Sequence, residues 1–252
     1  MRRTIDKREC RQIWQTVFRD SEEFVELYFR RRYSAANTFV SKADGRIVAQ
    51  AQCLTYRMTD SQCSPTLRIG YVSGLATLPA YRGQGHAAAV MQQMHQWLRD
   101  NSYDYCLLIP ADDHAAKWYS HHLDYRPSSI ERKLRLSPTQ MAGFTKLPAL
   151  TPEIIDTLQR DLASTPYTVQ HTATDLADQM AVCQMTGGGL YAAAQGLLMA
   201  ERITESDGKE SYLVLDTFLL PSSSPFVSPC LYLPLGNNAP LPPTVRMTLM
   251  LE

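Results

Sequence analysis

Residues 71–89 read YVSGLATLPAYRGQGHAAA, and the reading of the fold starts there. Tyr71 to Leu78 is an apolar run with the length of a buried strand. Pro79 ends it. A turn with glycines at 83 and 85 follows, and from His86-Ala87 the pattern becomes helical and rich in Ala and Met. A strand, a Gly-bearing turn and a helix N-terminus in that order make an anion site. The first turn of a helix presents unpaired backbone N–H groups, and the helix dipole adds partial positive charge there. Glycines at 83 and 85 let a diphosphate approach the backbone with no β-carbon in the way.

Two common phosphate loops are excluded. The stretch lacks the Gly-Lys-Ser/Thr ending of a nucleoside-triphosphate loop and the three-glycine spacing of a dinucleotide fingerprint. It resembles the acyl-CoA loop of the GNAT superfamily of N-acetyltransferases, in which Arg or Gln is followed by Gly three residues on and by Gly or Ala two beyond that. Arg82, Gly85 and Ala87 fill those places, and Leu75-Ala76-Thr77-Leu78-Pro79 is similar to the family's strand-to-loop lead-in. The resemblance implies acetyl-CoA as cosubstrate. Its diphosphate would lie on Arg82, Gly83, Gln84, Gly85, His86 and Ala87. Its pantetheine arm would pair with the backbone of Leu75, Ala76 and Thr77, where the strands flanking the phosphate helix splay apart.

Outward from the loop, the pattern predicts a helix around Ile13, Trp14, Val17 and Phe18 and a second over about Glu22 to Arg32, capped by Ser21. Strands are expected at Asn37 to Ser41 and Arg46 to Leu54, joined by an Asp44-Gly45 hairpin turn. A strand Leu67 to Leu78, the helix Ala87 to Leu98, a strand Tyr103 to Ile109, a helix Asp112 to His122 and a strand Ser129 to Leu136 complete the first part. This order, antiparallel at first and parallel across the phosphate helix, is mixed α/β. It resembles the GNAT fold, and the first domain is assigned to residues 1–136.

A second family element lies at residues 109–125, IPADDHAAKWYSHHLDY. Asp112, Ala115 and Trp118-Tyr119 stand at the family's Asn, Ala and Leu/Phe-Tyr positions. Leu123 falls where Gly is expected, as if one residue were inserted, and alignment from Tyr125 backwards would place Ser120 at the Tyr position. Transfer of an acetyl group to an amine by direct attack, through a tetrahedral intermediate, needs a neutral amine, a stabilised oxyanion and a proton for the departing thiolate. A phenol with a pKa near 10 is protonated at neutral pH and can donate to a thiolate. Tyr119 is therefore the expected general acid. No base is evident. Asp112 reads equally well as a helix cap and His114 as a solvated first-turn residue, so waters leading to bulk are expected to take the proton. Cys106, on an apolar strand with no His close in sequence, is not expected to be a nucleophile.

Composition adds bounds. The 252 residues carry a formal net charge of zero and 20% charged residues, which gives no nucleic-acid surface or polybasic membrane patch. Arg30-Arg31-Arg32 reads as a solvated helix end. The N-terminus lacks the apolar core of a signal peptide, and no run reaches transmembrane length. Six cysteines without Cys-x-x-Cys spacing read as reduced, mostly buried thiols of a cytoplasmic protein. No metal-ligand pattern is present; adjacent His121 and His122 point in different directions on a helix.

From Ser137 prolines punctuate the chain, and a smaller α+β domain is expected at 137–252. Helices are predicted over Ile154 to Leu162 and Asp175 to Gln184, then strands over Leu190 to Ala194, Leu197 to Ile203, Tyr212 to Leu220, Leu231 to Leu233 and Val245 to Leu251. Gly187-Gly188-Gly189 precedes a strand rather than a helix, so it opens a hairpin and is not a second phosphate loop. The three central strands faintly echo those of the first domain, as in a degenerate, CoA-free half of the same fold, which would extend the sheet or wall the acceptor site. An unrelated extension is the alternative. Taken together, the sequence predicts an acetyl-CoA-dependent N-acetyltransferase acting on a small-molecule or peptide amine, with no metal and no nucleic-acid or membrane partner. A non-catalytic acyl-CoA-binding regulatory module is the alternative function. The oligomeric state is open.

Overall fold

Asp44 and Gly45 both take positive φ, 49° and 79°, and this turn closes the first hairpin, as two-residue turns of this handedness match strand twist. The hairpin belongs to a computed structural model that describes residues 5–129, 135–194, 196–205, 207–218, 230–243, 245–248 and 250. Two helices precede it. α1 (Lys7–Phe18) is capped by Asp6, which accepts from the Arg8 N–H, and α2 (Glu22–Arg31) by Ser21, which accepts from Phe24. Their apolar faces, among them Ile13, Trp14, Val25, Tyr28 and Phe29, form one buried cluster with Ile47 and Ala76 of the strands that follow.

Those strands are β1 (Thr38–Ala43), β2 (Arg46–Met58) and β3 (Leu67–Thr77). Then come α3 (His86–Asp100), β4 (Tyr105–Leu108), α4 (Asp113–Leu123) and β5 (Arg126–Ser129). β1, β2 and β3 are antiparallel neighbours, and β3 pairs with β4 in parallel. α3 lies on one face of this sheet, where Val90, Met91, Met94 and Leu98 bury against Ala49, Ala51, Cys53 and Val72.

The second part begins with β6 (Arg135–Leu136), the short α5 (Pro138–Met141) and β7 (Thr145–Lys146). It continues through α6 (Pro152–Ala163), β8 (Val169–Gln170), α7 (Ala173–Met185), β9 (Gly189–Ala193), β10 (Gly196–Thr204) and β11 (Glu210–Phe218), and ends with β12 (Cys230–Pro234). A five-stranded sheet has the order β6-β11-β10-β9-β7. Here too, two helices lead into three consecutive antiparallel strands, and the third bulges against the second near Met199. Gly188 has a steric role beyond flexibility, since a β-carbon there would lie 2.2 Å from the Ala200 carbonyl oxygen.

The two parts share one sheet. β12 inserts between β4 and β5 and is antiparallel to both, and β8 pairs with the far end of β2. The first sheet is therefore completed by residues from beyond position 136. The expected strand Ser129 to Leu136 divides instead: Arg126–Ser129 lies in the first sheet and Arg135–Leu136 in the second, with 130–134 outside the described residues. Val245 to Leu251 does not form a strand among its described residues. Val245, Met247 and Met250 are buried in the core beneath β12, and the only pairing is an isolated bridge between Arg246 and Thr168. The expected Tyr212 to Leu220 strand ends at Phe218, and 219–220 lie outside the described residues.

The arginine run at the end of α2 is only partly a solvated helix end: Arg30 and Arg31 are exposed, but Arg31 and Arg32 pair with the second part. Arg31 bonds Asp178 at 2.6 Å, and Arg32, mostly buried, pairs with Asp175, both on α7. Cations at the C-terminus of α2 here meet carboxylates of the second part, so tertiary pairing overrides solvation. Arg246 makes a second buried junction, with Asp216 at 2.9 Å and Asp161 at 3.0 Å. Leaving either charge unpaired in such a place is strongly destabilising.

Two buried histidines give this fold a pH dependence. His95 of α3 bonds the Tyr125 hydroxyl at 2.9 Å, and His171 donates to the Thr248 carbonyl at 2.9 Å. Burial pushes the pKa of each down to about 4, whereas an unfolded chain binds the proton near the ordinary value of about 6.5. The unfolded state thus holds more protons between those values, and stability is lost as pH falls through that window. Each histidine contributes up to about 1.4 kcal/mol per pH unit there. Urea unfolding at about pH 7 and about pH 5 should show this loss, and a His95→Gln/His171→Gln variant should show a flatter profile. An unchanged slope in the double variant would contradict the assignment.

Candidate active site

The strands β3 and β4 pair at three positions only: Ile69 with Tyr105, Gly70 with Cys106 and Tyr71 with Leu107. Beyond Tyr71, β3 carries a bulge. Gln50 pairs with Ala76 and Gln52 with Ser73, so Ala51 stands opposite both Gly74 and Leu75. A bulge bends its strand and releases backbone groups from the ladder. Gly74 takes φ 62°, and a β-carbon there would lie 2.1 Å from the Trp14 ring. Both the backbone conformation and the close approach require glycine.

The divergence of β3 from β4 opens a cavity of about 380 Å³. Its walls are Val72 to Leu75 on one side and Leu108 to Ala111 on the other. Trp14, Phe18 and Asp20 close one end and Ala115 and Tyr119 the other. All of these residues precede position 120. The second part extends the sheet through β12, and none of its described residues is in this lining.

Past Thr77 the chain makes one turn at Pro79–Tyr81 and reaches α3 through Arg82 to Gly85. Gly83 and Gly85 take φ of 75° and 82°, and a β-carbon at either would meet nothing within 4 Å. The glycines thus leave open space above the backbone. α3 begins at His86 with no side-chain cap and no acidic residue in its first turn. Among the described residues, the other five helices of more than two turns each have both. Among the described residues no side chain compensates the positive end of α3, and a glycine at the N-cap costs a helix only a few tenths of a kcal/mol relative to a capping side chain. Arg82 Nε donates to the Thr77 carbonyl at 3.3 Å, and the Thr77 hydroxyl is buried without a hydrogen-bond partner. Gln84 bonds back to Ala80, and His86 contacts Ser41 of β1 at 2.9 Å. Leu75, Ala76 and Thr77 form the end of β3 between this loop and the cavity. The residues of this loop and strand end fit an extended ligand with a diphosphate.

Tyr119 lines the cavity from α4, half-buried, with its ring against Trp118 and Tyr125 at 5.1 and 5.6 Å. Ser120 is not part of the lining. α4 ends one residue later than the family spacing suggests: Asp124, not Leu123, takes the left-handed conformation, at φ 58°. The extra residue is absorbed at the helix end, downstream of Tyr119.

Asp112 caps α4, accepting from the Ala115 N–H at 2.7 Å, and His114 is exposed and does not line the cavity. Cys106 is fully buried beside the Tyr125 hydroxyl, and burial pushes its thiol up to about 12. It has no access to the cavity and no thiolate at neutral pH. Among the described residues, all six cysteines are unpaired, no cluster could hold a metal ion, and no helix is long and apolar enough to cross a membrane.

Asp20, Trp14 and Phe18 escaped the sequence reading as site residues. Trp14 and Phe18 fit an ordinary apolar helix stripe, and Asp20 looked like a residue of the turn before the Ser21 cap. One signal was available: Phe18 extends the stripe to the last residue of α1, where it remains 39% exposed.

Comparisons with known proteins agree with this geometry. Residues 3–120 match the family model of the acetyltransferase (GNAT) domain. No curated protein matches the sequence. The fold is similar to a GCN5-related N-acetyltransferase from Anabaena variabilis, with a TM-score of 0.63 and 16% identity over 85% of this chain and 56% of that one. It is similar to another from Kribbella flavida, with a TM-score of 0.59 and 13% identity over 85% and 55%. Eis1 from Mycobacterium abscessus gives a TM-score of 0.56 and 11% identity over 86% and 57%. The chain spans a little over half the length of these structures. The likeness is one of fold, and it reaches beyond the matched domain into the second part.

A valine at position 85 tests the loop. Its side chain would enter the open space above the α3 N-terminus and would strain a left-handed backbone position by about 1–2 kcal/mol. Gly85→Val should fold, with a modest drop in Tm, and lose CoA binding by calorimetry. Arg82→Ala should lose less, because backbone amides make most of the contact. CoA binding to Gly85→Val with unchanged affinity would contradict the site.

Proposed function

From the match of residues 3–120 to the acetyltransferase (GNAT) domain, we propose that the protein transfers an acetyl group from acetyl-CoA to a primary amine. The observation that carries the reading is the uncapped N-terminus of α3, with open space above Gly83 and Gly85, at the end of a bulged strand that leaves its parallel neighbour. Acetyl-CoA supplies the acyl group as an activated thioester. The backbone N–H groups of Gly83 to Ala87 hold its diphosphate, with Arg82, Gln84 and His86 flanking it. The released backbone of Leu75, Ala76 and Thr77 pairs with its amide arm.

Within the cavity, a backbone N–H of the bulged strand stabilises the developing oxyanion. The neutral amine adds to the thioester carbonyl, forming the C–N bond and a tetrahedral oxyanion, whose collapse restores the carbonyl and breaks the C–S bond. The proton of the amine leaves to solvent, and the Tyr119 hydroxyl protonates the thiolate and is itself reprotonated from water. The transfer unit is residues 1–136 completed by β12. The remainder of 137–252, whose element order matches that unit's first half, carries no second CoA site, so binding should saturate at one CoA per chain. Unpaired cysteines suit a reducing compartment, and we place the protein in the cytoplasm.

The test is thiol release with acetyl-CoA and a panel of primary amines. Wild-type protein should turn over at least one of them. Tyr119→Phe keeps the ring and removes the hydroxyl. Its kcat should fall by about 10²- to 10⁴-fold, the span of a general acid, with acetyl-CoA affinity little changed. Saturable CoA binding without transfer to any amine would favour a non-catalytic acyl-CoA-binding module. An undiminished kcat in Tyr119→Phe would remove the hydroxyl from the mechanism.

A further inference from the structure

The cavity beside Tyr119 carries one charged residue among its described lining, and that residue is Asp20. Its carboxylate is fixed in place: the Trp14 indole N–H donates to Asp20 Oδ2 at 2.8 Å. The other oxygen has no partner of this kind. The nearest basic side chain of α1 does not neutralise it, because Arg11 bonds Glu26 at 2.7 Å and also pairs with Glu22. Beside the carboxylate stands Phe18, the one exposed large apolar side chain among the described residues, edge-on to Trp14 at 5.0 Å. An exposed carboxylate held by the Trp14 N–H, in a cavity lining that also holds Trp14 and Phe18 and no other charged residue among those described, has the chemistry of a cation subsite.

We infer that the acceptor carries two basic nitrogens, one held as a cation by Asp20 against Trp14 and Phe18 while the other, neutral, reacts. The inference rests on the acetyl-transfer reading above and specifies its substrate class. The need for two nitrogens follows from the chemistry. An ammonium paired with Asp20 keeps its proton and its lone pair is occupied, so it cannot attack a thioester. Recognition at Asp20 and attack deeper in the cavity therefore fall to different nitrogens of one molecule. An α,ω-diamine or a peptide with a lysine beside a second cation has this form.

The experiment compares matched acceptors: 1,5-diaminopentane and pentylamine, which share chain and reacting group. Wild-type kcat/KM should favour the diamine by about tenfold or more, as expected for a charge-assisted contact. Asp20→Asn keeps an acceptor for the Trp14 N–H and removes only the charge. In this variant the preference should collapse to within about twofold, through a rise in KM for the diamine. Calorimetry of both amines with the CoA-loaded protein gives a readout that needs no turnover. Diamine binding that is lost in Asp20→Asn, with no acetylation of any amine, would support the cation subsite while rejecting the acetyl-transfer reading. Equal kcat/KM for the two amines, or a diamine preference that survives in Asp20→Asn, would overturn the inference.

Discussion

The Trp14 ring lies where a β-carbon of residue 74 would be, and most of the candidate site depends on that contact. The indole fills the place only because position 74 is glycine, and glycine tolerates the left-handed backbone that the bulge imposes there. The bulge turns β3 away from β4, and the cavity is the resulting gap. The same indole packs against Phe18, Phe24, Tyr28 and Phe29, so α1 and α2 are anchored to the bulge by one aromatic cluster. Through its N–H it also orients Asp20. One side chain thus couples the position of the helices, the divergence of the strands and the one charge among the described residues of the cavity lining.

β4 also has a second edge, facing away from β3, that must be covered, since an unpaired strand edge invites association. The chain covers it late. β12 returns from the second part and lies between β4 and β5, and the segment carrying Val245 and Met247 seals the core beneath it. Arg31 and Arg32 toward α7, and Arg246 toward Asp161 and Asp216, tie the two parts together. None of the described residues of the second part lines the cavity, yet that part completes the sheet on which the cavity stands. This division separates stability from chemistry along the sequence without separating them in space.

What the sequence made legible was local. The turn bearing Gly83 and Gly85 before α3, the Asp44-Gly45 turn, the Ser21 cap and the helix opening after Thr151 each rest on residues within a few positions of one another, and each is found where local rules place it. Non-local features were hidden. Leu231-Tyr232-Leu233 shows strand propensity, but nothing in those residues names β4 and β5 as partners more than a hundred positions away. The expected strand at 245–251 reflects apolar residues that are indeed buried, Val245, Met247 and Met250. It marks a core-facing segment with one bridge and not a ladder, since periodicity reports burial and says nothing of hydrogen-bond partners. Asp20 was hidden for the same reason. Its role depends on Trp14 and on a cavity made by residues up to position 119.

The central claim is that one ligand bridges the end of β3 and the N-terminus of α3. Hydrogen exchange of backbone amides with and without CoA tests it directly, residue by residue. Binding should slow exchange at the amides of Gly83 to Ala88 and at Leu75 to Thr77, and should leave β9 to β11 unchanged. Protection confined to the second part, or none at either the loop or the strand end while CoA is bound, would contradict the account.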